Sequence, residues 1–151
     1  MAGFHYRMQN ILDMKIQLET QAKIAFAAAQ QRLNAEEEKL MALQTRRADY
    51  LEEGRRLRTT TLDMLSLKEN EQAVKKADED IKAQILQIHV AQRNLENARK
   101  KLQDITVDRK GHEKLKEKAF EEFLEEEKLA EQKQIDELTS YTYGARGSKE
   151  N

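Results

Sequence analysis

The chain has 151 residues, of which 36% are charged and only 5% aromatic, with no Pro, Trp or Cys. A formal charge of −1 argues against a general binder of nucleic acid or of membrane surfaces, and zero cysteine excludes disulfides and thiol chemistry. The apolar fraction of 38% favours long, solvated helices over a thick core, and no stretch approaches the ~20 apolar residues of a membrane span.

The first residues hold no uninterrupted apolar run, so no secretory signal is expected and the protein reads as cytoplasmic. Residues 4–57 read as one helix. Apolar or small residues recur in steps of three and four at Phe4, Met8, Ile11, Leu18, Ala22, Ala25, Ala29, Leu33, Leu40, Leu43, Tyr50 and Leu57. Ala25, Ala29 and Leu33 take two steps of four in succession, which predicts a local break of the heptad phase. Glu36 and Arg47 fall on the same stripe, so this helix has an imperfect apolar edge.

Residues 58–66 read as a turn. Thr59, Thr60 and Thr61 are consecutive β-branched residues of low helix propensity, and Gly54 precedes them. Two caps could start the next helix: a Ser66–Glu69 capping box, or Asp63.

The second helix is expected over residues 67–138, with a frayed tail at 139–151. Its core is the most regular stripe in the chain: Val74, Ala77, Ile81, Gln84, Ile88, Ala91, Leu95, Ala98, Leu102 and Ile105. The mean spacing of 3.5 residues places all ten on one narrow stripe, which demands a partner helix, and only Gln84 is polar. The seam is carried by Val74, Ile81, Ile88, Leu95, Leu102 and Ile105, with mostly Ala in the alternate column. Beyond Ile105 the stripe passes through Arg109, His112 and Lys116. Apolar character returns at Leu115, Ala119, Phe120, Phe123, Leu124 and Leu129.

Folding the two helices about a tip near residue 62 sets Leu33 opposite Ala91, Ala29 opposite Leu95, and Ala22 opposite Leu102. Large meets small three times; Leu43 then faces Ile81, and Tyr50 faces Val74. This agreement predicts an all-α fold: a long two-helix antiparallel coiled-coil hairpin formed within one chain, with the C-terminal helix overhanging. A parallel dimer through the second helix is the alternative. Residue 1 falls opposite about residue 123, so the overhang would carry Phe120, Phe123, Leu124, Leu129, Ile135 and Leu138 on an unpaired helix, a candidate binding element.

No catalytic constellation is present. His5, His89 and His112 form no metal-spaced pair, and the five glycines form no phosphate loop. A non-enzymatic protein without metal or cofactor is expected. Residues 119–138 hold eight acids and two bases, whereas Arg46, Arg47, Arg55, Arg56 and Arg58 make the tip basic. A solvated helix face explains the acids. Opposite charge at the two ends also suits a hairpin that touches two different protein surfaces, and without interleaved aromatics the arginines do not point to nucleic acid.

Phe4, Tyr6, Arg7, Met8 and Leu12 open the long Ala/Gln/Glu helix, a broken middle follows, and the second helix closes on Glu131-Gln132-Lys133-Gln134-Ile135-Asp136-Glu137-Leu138. Over nearly its whole length this resembles the FliJ family, the small coiled-coil component of the bacterial flagellar type III export apparatus. Gln132, Lys133, Asp136 and Glu137 are the most specific part. The resemblance implies a motility protein without enzymatic activity. It would be a hairpin stalk that enters and promotes the hexameric export ATPase FliI, alongside its regulator FliH. It would also contact the export gate protein FlhA, cycle export chaperones, and lie at the inner face of the cell membrane through the gate. The gate-contacting positions would be Leu43, Tyr50, Ala73 and Ala77; Arg46 departs from the family, some members of which carry an aromatic there. Phe120, Phe123, Leu124 and Leu129 would be the ATPase-end anchors. Two other classes compete with this reading: a tentacle-type holdase chaperone of the prefoldin kind, which would carry strands that this sequence lacks, and a purely structural coiled coil.

Overall fold

The computed structural model describes residues 3–60 and 63–149. Two helices make up nearly all of it: α1 (Gln9–Thr60) and α2 (Met64–Lys149). They pack against each other as an antiparallel helical hairpin within one chain, and no strand occurs among the described residues.

The helix ends differ from the sequence expectation. α1 begins at Gln9 and continues to Thr60, with Gly54 and the first two threonines inside it. The threonine hydroxyls bond back to carbonyls of the preceding turn. Thr59 Oγ1 donates to the Arg55 and Arg56 carbonyls at 3.3 and 3.0 Å, and Thr60 Oγ1 to the Arg56 carbonyl at 2.6 Å. The tip near residue 62 and Thr61 lie outside the described residues.

α2 starts at Met64, and Asp63 is its cap. The Asp63 carboxylate accepts from the Leu65 amide at 3.1 Å and from Ser66 Oγ at 2.7 Å. Ser66 thus serves the cap rather than forming a box with Glu69. At the other end α2 runs on to Lys149, through the stretch expected to fray, with Gly144 and Gly147 inside it.

The residues group into two compact units, Glu19–Ile105 and Met1–Leu18 with Thr106–Asn151. In the first, Leu33, Ile88 and Ala91 form the buried cluster, with Leu40 and Leu95 packed against it. Leu33 and Ala91 thus belong to one buried cluster across the two helices. The α1 edge of this unit runs Ala22, Phe26, Ala29, Leu33, Glu36, Leu40, Leu43, Arg47, Tyr50, Gly54 and Leu57, all buried or half-buried. The steps alternate three and four throughout. The expected phase break at Ala25 does not occur: Ala25 is exposed, and the bulkier Phe26 takes the seam position.

In the second unit the α1 edge is also displaced by one residue from expectation. Met8, Ile11 and Leu18 are exposed, whereas Leu12 retains 3% of its surface and Lys15 is half-buried. The inward edge, Gln9, Leu12 and Lys15, is the more polar of the two stripes, and it is the one that leads into the three–four alternation of the rest of α1. On α2 the inward positions are Arg109, His112, Lys116, Ala119 and Phe123, as the spacing predicted; Leu115 is exposed.

Candidate interaction surfaces

Polar side chains interrupt the apolar seam at fixed points. Glu36 retains 3% of its surface. The Gln84 side-chain amide donates to its carboxylate at 2.5 Å and to its backbone carbonyl at 2.8 Å. That hydrogen bond, followed by the charges of Lys39 and Arg32, holds the Glu36 carboxyl below the usual range. Arg32 and Lys39 approach it from the neighbouring turns at 2.9 and 3.6 Å. Glu36 and Gln84, polar exceptions of the two stripes, are thus each other's partners. Arg47 likewise reaches across to Asp78 at 2.5 Å.

Closer to the tip, Asn70 lies against the α1 backbone. Its side-chain amide donates to the Tyr50 carbonyl at 2.8 Å. A Cβ at position 54 would collide with Asn70 Oδ1. Gly54 is therefore not a helix stop; it is the gap in α1 that admits a side chain from α2. Asn70 and Asp78 escaped sequence reasoning because each looks like an ordinary solvated residue. Their signal lies only in the register, which sets them beside Gly54 and Arg47.

The four positions expected at the gate end face the seam. Ala77 is buried, and Leu43, Tyr50 and Ala73 are half-buried. The apolar side chains exposed in this part of the unit are Met41, Leu51, Met64 and Leu65. Two shallow grooves share Asn70: one of about 390 Å³ includes Leu51, Arg58, Leu67 and Val74, and one of about 260 Å³ includes Tyr50, Leu57, Ser66 and Ala73. Of the tip arginines, Arg47 is in the seam, Arg55 pairs with Glu52 at 2.8 Å, and Arg58 Nε donates to the Gly54 carbonyl at 3.1 Å.

In the other unit, Phe4 packs on Phe120 edge-on at 5.1 Å between centroids and on Phe123 at 5.4 Å. These two rings are thus paired, not part of an unpaired overhang. Leu124 and Leu129 are exposed, and every residue from Lys128 to Ala145 is exposed. That bare stretch of α2 presents Leu129, Ile135, Leu138, Tyr141 and Tyr143. The acids Glu121, Glu122, Glu125, Glu126 and Glu131 lie on the solvated surface, and Glu127 is half-buried.

Lys15 pairs with Asp108 at 2.7 Å, and this contact, chiefly its hydrogen bond, lowers the Asp108 carboxyl. His112 Nε2 stands 3.6 Å from Asp108, while its Nδ1 is buried without a hydrogen-bond partner among the described residues, as is the Tyr6 hydroxyl. His5 and His89 are exposed. Among the described residues no group of three or more His, Asp or Glu could hold a metal ion, and no helix is long and apolar enough to cross a membrane.

No curated protein and no solved structure matches the chain. The family model described as flagellar FliJ protein matches residues 4–148, almost the whole hairpin. A polar-pinned two-helix hairpin with a bare C-terminal helix thus carries the sequence of a flagellar export component, and the chain belongs to the FliJ family.

Proposed function

We propose that this protein is the non-enzymatic hairpin that binds and promotes the hexameric export ATPase FliI in the flagellar type III apparatus. The observation that carries this reading is the stretch of α2 from Lys128 to Tyr143, exposed at every residue, with five large apolar side chains on its surface. Such an edge is stable in water only as a solvated helix, and it gains by docking. Leu124 and Leu129 are the exposed anchors of the ATPase end; Phe120 and Phe123 support them from the Phe4 cluster. FliH, the regulator of that ATPase, acts at the same end.

The opposite end of the sequence pattern, around residues 43–77, serves the gate protein FlhA. Leu43, Tyr50, Ala73 and Ala77 set the spacing of the two helices there, and Met41 and Leu51 supply side chains within reach of a partner. Chaperone cycling and a cytoplasmic position beneath the flagellar basal body follow from the same role.

The test is ATP hydrolysis by the purified export ATPase with the full chain and with a chain ending at residue 127. Stimulation by the first and not the second is expected. Equal stimulation by both removes the bare helix from the reading.

A further inference from the structure

The lead-in to α1 is held on α2 by side chains alone. Residues 3–6 form neither helix nor strand, and residues 7 and 8 turn into α1. The hydrogen bonds of this segment go to the first turn of α1: the Tyr6 carbonyl accepts from the Gln9 amide, and the Met8 carbonyl from Ile11 and Leu12, all at 3.1 Å. Among the described residues none joins it to α2. Its grip there is Phe4, whose ring packs on Phe120 and Phe123 at 5.1 and 5.4 Å. Tyr6 is buried as well, yet its hydroxyl has no hydrogen-bond partner among the described residues, a cost that release into water removes. The cover is also partial: Phe120 keeps 42% of its surface and Leu124, one turn further, 49%.

We propose that Gly3–Met8 is a displaceable strap over the near end of the ATPase-docking face, and that the ATPase takes the place of the Phe4 ring when it docks. The inference rests on the ATPase reading given above. Phe120, Leu124, Ile135 and Leu138 follow one another along α2 at steps of four, eleven and three residues, which sets them on one stripe. Leu124, Ile135 and Leu138 are exposed, whereas Phe120 already carries the Phe4 ring. A partner that lies along this stripe therefore meets Phe4 at its near end. A segment with few buried contacts and no hydrogen bonds to its support belongs to the least stable part of a fold, so it yields before α2 does. Once it has left, Phe120, Phe123 and Leu124 make one apolar patch at helical spacings of three and four.

The test is the concentration of this protein that gives half-maximal stimulation of the purified export ATPase. Phe4→Ala opens the strap and should lower that concentration about tenfold, because a masked site binds only through its open fraction. Tyr6→Phe removes the unpartnered hydroxyl, tightens the strap, and should raise the concentration severalfold. Both variants should keep the parental helicity by circular dichroism. A second readout uses spin labels at His5→Cys and Glu122→Cys, both exposed and both unique in a chain without cysteine. Their distance should be short and narrow in the free chain, and longer and broad in the complex. No stimulation by either the parent or Phe4→Ala removes the ATPase reading, and this proposal with it. Stimulation by the parent, with Phe4→Ala acting equally or more weakly, makes Phe4 a fixed support and removes the strap alone. A label distance that the bound ATPase leaves unchanged does the same.

Discussion

Gly54 and Asn70 show how one residue can be chosen by another in a distant turn. Glycine inside a helix costs about 1 kcal/mol relative to alanine, so Gly54→Ala should stabilise an isolated α1. In the hairpin the added Cβ meets Asn70 Oδ1, and overpacking of this kind costs about 1–3 kcal/mol. Gly54→Ala is therefore expected to lower the melting temperature. The double variant with Asn70→Ala should melt above the Gly54→Ala single, because the clash is gone. A single variant that melts higher than the parent would falsify the packing. Asp63 offers a second residue-scale test: Asp63→Ala removes the cap bonds to Leu65 and Ser66, with an expected loss of the order of 1 kcal/mol, as for other N-caps. Neither Gly54's role nor the choice of Asp63 over Ser66 could be read from the sequence. Gly54's role depends on Asn70, which only the pairing of the two helices brings beside it, whereas Asp63 and Ser66 are both good caps by local chemistry and join in one hydrogen-bonded cap.

At the scale of the elements, the three–four spacing of α2 made the seam legible from Val74 to Ile105, and the large-to-small matching made the pairing legible. Burial of Ile88 and Ala91 beside Leu33 follows from it. Ile88→Ala should cost about 2–4 kcal/mol in thermal or urea unfolding. The first helix was less legible, since near its start the apolar positions Met8, Ile11 and Leu18 face water while the inward edge is Gln9, Leu12 and Lys15, so apolar content points to the wrong stripe. Glu36 and Gln84 looked like defects in separate patterns; together they are a paired layer. Buried polar partners fix register at some cost in stability in several coiled coils. Leu at both positions is accordingly expected to raise the melting temperature while blurring the register. Spin-label distances between positions 29 and 95 should broaden or become bimodal in that variant; one sharp, unchanged distance would remove the register role from the pair.

For the whole molecule, the lowered carboxyls set a direction for acid. Glu36 is lowered chiefly by Gln84, Asp108 by Lys15, and Asp63 by Ser66. A carboxyl lowered in the folded state stabilises it above the unfolded pKa, and that contribution fades as pH falls through the folded one. The melting temperature is expected to hold steady from neutral pH to about pH 5 and to drop below about pH 4. Glu36→Gln should flatten part of that drop. The ladder of polar contacts also orders events in time. The cross-helix bonds span 20 residues at Asn70–Tyr50, 31 at Arg47–Asp78 and 48 at Gln84–Glu36. Shorter loops close with less entropy lost, so pairing nucleates beside Gly54 and advances outward like a zip. During synthesis α1 is complete before any of its partners exists. The first foothold it gains is Asn70, whose substitution should slow refolding, whereas Ile88→Ala should mainly speed unfolding.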